Sequence, residues 1–140
     1  MSPSAMSNAA HTVLVFSEHP GVRDQVRTAI GSRPAGDVGR VEYIEAVTGE
    51  EVVAEVDAGG IDLVILDGEA QPTGGLGVAR TIRQECANQP LLCVLIRRRD
   101  DRWLATWSQV DSTIMYPIDP IAAAETVAGL LRQAAAAPSR

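Results

Sequence analysis

The run Ile61-Asp62-Leu63-Val64-Ile65-Leu66-Asp67 limits the fold more than any other stretch of the chain. It follows Gly59-Gly60, carries an unbroken apolar block from Leu63 to Leu66, and ends on a carboxylate. A strand of that composition is covered on both faces, which points to a parallel sheet held between two layers of helices. Asp67 then stands at the C-terminal edge of a buried strand. In open α/β sheets, binding groups collect outside that edge, where the strand order reverses.

The rest of the chain supplies the other elements. Thr12 to Phe16 is a second run with little alternation and gives the first central strand. Behind His19, Pro20 suits the first helical position, and Val22, Val26, Ala29 and Ile30 recur at helical spacing until Gly31. Val41 to Ala46 reads as the second strand, and Thr48-Gly49-Glu50-Glu51 has the spacing of a capping box opening a second helix. Leu76, Val78, Ala79, Ile82 and Arg83 predict a third helix, with Gly74, Gly75 and Gly77 as ordinary turn glycines before and within its start. Leu91 to Ile96 is the fourth strand, Arg102 to Val110 a short fourth helix, and Thr113 to Tyr116 the fifth strand. Asp119 caps and Pro120 starts a fifth helix that runs to about Arg132. Strands that alternate with helices through short connections pair in parallel through right-handed crossovers. The expected fold class is α/β, a doubly wound (βα)5 three-layer sandwich on a five-stranded parallel sheet. One domain is expected over residues 12–133, between a disordered segment 1–11 and a flexible tail 134–140.

Composition narrows the function. With 140 residues and 46% hydrophobic side chains, the chain is long enough for one core. A net charge of -6 opposes non-specific attraction to nucleic acid, which needs a basic surface to displace phosphate counterions. All 12 basic residues are arginine, so no side-chain amine is available for catalysis. The longest apolar run, Leu91 to Ile96, is far short of the roughly 20 residues that cross a bilayer, and a cytoplasmic protein without membrane insertion is expected. Cys86 and Cys93 read as reduced, buried thiols. His11 and His19 have no partners at metal-ligand spacing and read as exposed loop residues. No nucleophile and base pair, nucleotide fingerprint or metal cluster stands out, so an enzyme is not expected and no catalytic residue is assigned.

From Thr12 to Arg132 the chain resembles the receiver domain of two-component response regulators. The resemblance is carried by the strand ending on Asp67, by Gly75-Leu76 at the family's spacing after it, and by Tyr116-Pro117-Ile118-Asp119-Pro120, which is similar to the family's Lys-Pro-Phe-Asp-Pro turn. The resemblance implies an atypical, stand-alone receiver of the actinobacterial kind. In that family a pair of acids and the phosphorylated aspartate hold magnesium, while a Ser/Thr and a Lys bind the phosphoryl oxygens. By the same resemblance Asp67 is the phosphoacceptor position, and Glu18, Asp67 and Glu69 are the metal positions, Glu69 through its backbone carbonyl. Ser17 replaces the first acid, Leu95 or Ile96 the Ser/Thr, and Tyr116 the Lys. A hydroxyl in place of a carboxylate weakens the magnesium site, because Mg2+ is a hard cation that favours charged oxygen ligands. Leucine and isoleucine donate no hydrogen bond, and a phenol carries no charge at neutral pH.

Several alternatives stay open at this level. Asp67 is either a phosphoryl acceptor or a retained carboxylate paired with an arginine. Glu18 is a metal ligand or a solvated loop acid. Arg97 and Arg98 belong either to a solvated loop or to an anion-binding pair, with Arg97 neutralising Asp67 in the sharper version. Trp103 and Trp107 share a helical face and either pack inward or anchor an interface. The leading reading is a pseudo-receiver that signals by protein binding through the face of its fourth helix, fifth strand and fifth helix. A sensor histidine kinase and a second copy of the chain are the partners the resemblance adds. The runner-up is a receiver that accepts a phosphoryl group on Asp67 with Mg2+ and switches the same face.

Overall fold

The computed structural model describes residues 10–68, 74–97 and 109–136. Strand β1 (His11–Phe16) leads to α1 (Pro20–Ile30), β2 (Val41–Ala46), α2 (Gly49–Ala58) and β3 (Leu63–Asp67). There follow α3 (Gly74–Glu85), β4 (Leu91–Ile96), β5 (Ser112–Met115) and α4 (Pro120–Ala136). The strands form one sheet in the order β2-β1-β3-β4-β5, every pair parallel. This is the doubly wound sandwich the sequence predicts. The order reverses beside β1, which places the switch point between β1 and β3, where Ser17 and Asp67 follow or end their strands.

Alternation along each strand divides the core in two. Val13, Val15, Leu63, Ile65, Cys93, Leu95 and Ile114 face Val22, Val26 and Ile30 of α1 and Val127, Ala128 and Leu131 of α4. Leu14, Phe16, Val64, Leu66, Leu92, Val94 and Ile96 face Val52 and Val56 of α2 and Val78, Ala79 and Ile82 of α3. Both faces of the central strands are thus apolar because both are covered. The period of two is hidden in the sequence and recovered only as two separate clusters. Each fully buried leucine or isoleucine removed from water contributes about 1.5–3 kcal/mol.

Local signals explain the helix ends. Thr48 Oγ1 accepts from Glu51 N at 3.1 Å and Glu51 Oε1 accepts from Thr48 N at 3.0 Å, the reciprocal capping box the spacing predicts. The same Glu51 oxygen accepts from Val47 N, and these backbone donors hold its pKa below the ordinary value.

The structure departs from the sequence reading in several places, and the last helix runs to Ala136, past the expected end near Arg132 and into the segment read as a tail from residue 134. His11 is not an exposed loop residue, because it opens β1 with its ring half-buried and Nδ1 3.9 Å from Asp62. Helix α3 starts at Gly74, two residues before Leu76, so Gly75 is a helical residue whose missing Cβ is required: a Cβ there would lie 2.6 Å from the Asp67 carbonyl oxygen. Strand β5 ends at Met115, leaving Tyr116 just beyond the ladder. The predicted fourth helix, Arg102 to Val110, falls mainly outside the described residues; Gln109 is a turn residue with φ 64 and Val110 is irregular. Among the described residues no helix is long and apolar enough to cross a membrane.

Candidate functional site

Strand register assembles the site at the C-terminal edge. Residues 13, 15 and 17, residues 63, 65 and 67, and residues 93, 95 and 97 continue the same alternation toward the α1 and α4 layer. Ser17, Asp67 and Arg97 are therefore the next residues on one face as three neighbouring strands end. Tyr116 follows β5 and packs against that same cluster. Leu95 lies one step deeper in this core, paired with Asp67 in register, and Ile96 belongs to the opposite core. Of the three, Arg97, the residue just past β4, is the side chain that meets the aspartate.

Asp67 is 1% exposed and Ser17 is fully buried. Ser17 Oγ donates to Asp67 Oδ2 at 2.8 Å and accepts from His19 N at 3.0 Å. The Ser17 amide donates to Ala46 O at 3.2 Å, and its carbonyl accepts from Arg23 Nη1 at 2.7 Å. Arg23 is held in turn by Glu45, Nε to Oε1 at 2.8 Å. Every polar group of Ser17 is thus engaged, which a buried serine requires.

The second carboxylate oxygen of Asp67 faces a cation. Arg97 Nη2 stands 3.7 Å from Asp67 Oδ1, an ion pair beyond hydrogen-bond length. The guanidinium carbon is also 4.3 Å from the centroid of the Tyr116 ring, within cation–π range. The Tyr116 hydroxyl donates to Gln25 Oε1 on α1. A buried carboxylate needs compensation, and here a hydroxyl and a partly exposed guanidinium supply it.

These donors do not fit magnesium. The ion takes near-octahedral oxygen ligands, whereas one Asp67 oxygen already accepts a hydrogen bond from Ser17 and the other faces a positive charge. Glu18 is one-third exposed, with Oε1 3.7 Å from the exposed His19 ring. Among the described residues no group of three His, Cys, Asp or Glu side chains is placed to hold a metal. Glu69, Arg98, Trp103 and Trp107 lie outside the described residues.

The structure adds three participants that the sequence reading did not single out: Arg23 and Glu45, which fix the Ser17 loop, and Gln25, which receives the phenol. Their contacts cross α1, β2 and the β5–α4 loop, and no local spacing announces them. The thiols behave as packing groups: burial pushes Cys93 up to about 12 and Cys86 up to about 11.

No family model matches the chain. It is 44% identical over 126 residues to an uncharacterized response regulatory protein of Mycobacterium tuberculosis, found in two strains, covering 90% of this chain and 95% of that protein. Solved structures agree on the fold. A chemotaxis protein of Vibrio cholerae superposes with a TM-score of 0.70 at 19% identity, covering 88% of this chain and 100% of its own. The receiver domain of a Francisella response regulator gives 0.73 at 14% identity, with 88% and 98% covered. A two-component response regulator from Aurantimonas gives 0.74 at 20% identity, with 89% and 87% covered.

Proposed function

The chain belongs to the response regulatory proteins of two-component signalling, and from that premise we propose that it is an atypical receiver whose aspartate is held in one charge-compensated state and which signals by binding a protein. The observation that carries this reading is the pair of contacts on Asp67: Ser17 Oγ on one oxygen and Arg97 near the other. A phosphoryl donor would have to displace the arginine without a magnesium ion to offset the incoming charge. The same guanidinium supplies a positive charge where no lysine exists.

Protein binding, rather than chemistry on a small substrate, suits the fold's family. The binding face we favour is that of the expected fourth helix, Arg102 to Val110, which lies mainly outside the described residues, with β5 and α4. Ile121, in the first turn of α4, supports it: the side chain is large, apolar and 74% exposed. A histidine kinase or another signalling protein is the expected class of partner.

The test is an amide NMR titration with Mg2+ and then with beryllofluoride, a phosphoryl mimic, beside an Asp67→Ala control. Millimolar ligand is expected to leave the amides of Glu18, Gly68 and Tyr116 unmoved. Saturable shifts there that vanish in the control would overturn the proposal and establish a phosphorylatable receiver.

A further inference from the structure

Asp67 and helix α1 are joined by consecutive side-chain contacts. Arg97 lies 3.7 Å from the carboxylate and 4.3 Å from the Tyr116 ring, and the Tyr116 hydroxyl bonds to Gln25. Gln25 lines a groove of about 600 Å3 together with Asp24, Thr28, Pro117, Ile118 and Pro120. That groove runs between α1 and the β5–α4 loop and reaches Pro120 at the start of α4.

We infer that the charge on Asp67 is read out at α1 through Arg97, Tyr116 and Gln25. The inference rests on the reading of Asp67 as a compensated carboxylate, and it needs no phosphoryl group. Its physical basis is a shared cation. The guanidinium is drawn by the carboxylate and by the negative face of the ring, and the first attraction depends on ionisation while the second does not. Arg97 is 30% exposed, so it has room to move when that balance changes. Removing the charge lets the guanidinium settle on the ring or toward water. The phenol follows, and its hydrogen bond transmits the shift to Gln25.

A second route runs from Asp67 to α1 through Ser17 and Arg23, and the experiment separates the two. Amide shifts of the full chain are compared between wild type and Asp67→Asn, which removes the charge and keeps the shape. The comparison is repeated in Tyr116→Phe, which keeps the ring and removes the hydroxyl. In the wild-type background, the change at Asp24, Gln25 and Thr28 is expected to exceed that at Glu50 to Val56 on α2, across the sheet. In Tyr116→Phe it is expected to stop at residue 116. Equal changes on α1 and α2 would overturn the inference. So would an α1 response undiminished in Tyr116→Phe, which would assign the coupling to Ser17 and Arg23. Gln25→Ala, a surface change, repeats the test should the Phe variant fold poorly: the response at Thr28 is then expected to fall, and its persistence counts against the route. A beryllofluoride response alters none of these outcomes, so the inference and the proposed function fail separately.

Discussion

Two aspartate–arginine pairs sit at opposite edges of the sheet, and they are built differently. At the N-terminal edge Asp111 Oδ2 accepts from Arg83 Nη2 and from Leu92 N, each at 2.7 Å. Arg83 also donates to the carbonyls of Gln109 and Pro90 and to Gln89 Oε1. That cluster ties α3 to the ends of β4 and β5 with short, directed bonds. At the C-terminal edge Asp67 is more deeply buried, yet its arginine stands off at 3.7 Å and divides its charge with an aromatic ring. The first pair is saturated and acts as a rivet. The second meets a buried charge at longer range and shares its cation with an aromatic ring.

The largest effect is expected where the saturated pair is cut. Asp111→Ala leaves the buried Leu92 amide without this acceptor and should lower unfolding free energy by about 2–4 kcal/mol, read from urea denaturation. A loss below about 1 kcal/mol would erase the contrast between the edges.

Gly75→Ala comes next. Its Cβ would lie 2.6 Å from the Asp67 carbonyl oxygen and 2.8 Å from the carbonyl carbon, both backbone atoms that cannot swing aside. A cost of about 1–3 kcal/mol is expected, with amide shifts at Gly68. An unchanged melting curve would mean that α3 is free to slide off Asp67.

The longer-range pair should couple weakly. A double-mutant cycle of Asp67→Asn and Arg97→Ala is expected to give about 1 kcal/mol. A coupling near 3 kcal/mol would make this pair a second rivet.

The smallest effect lies away from both edges. The Tyr43 hydroxyl donates to Gly31 O at 2.6 Å, and burial pushes its pKa up to about 12. The folded state therefore holds this proton more tightly than the unfolded chain. The contribution is complete below the ordinary tyrosine value of 10.0 and is lost as pH rises from there toward about 12. Ultraviolet titration beside a Tyr43→Phe variant checks it, and a variant with the same alkaline stability profile would contradict it.

The fold was legible because its signals are local. The Leu63–Leu66 block, the Thr48–Glu51 box and the helical spacing of Val22, Val26 and Ile30 each act within a few residues. Asp67, which closes β3, and Tyr116, one residue past β5, were legible as edge positions for the same reason. Ranking Leu95, Ile96 and Arg97 was not. That choice depends on which face each residue takes, and a strand apolar on both faces gives no reading of its phase.

The sequence by itself determined the layers, the parallel sheet and the edge at which the site stands. It also determined the absence of lysine and the hydroxyl in place of an acid. Tertiary structure alone decided what meets Asp67. Ser17 and Asp67 are 50 residues apart, and Gln25 and Tyr116 are 91 apart. Such pairs meet only when strand register and helix packing bring distant segments to one edge, where local sequence carries no record of its neighbour across the sheet. The physical reason is range: backbone preference and hydrophobic period act along the chain, whereas charge compensation acts through space.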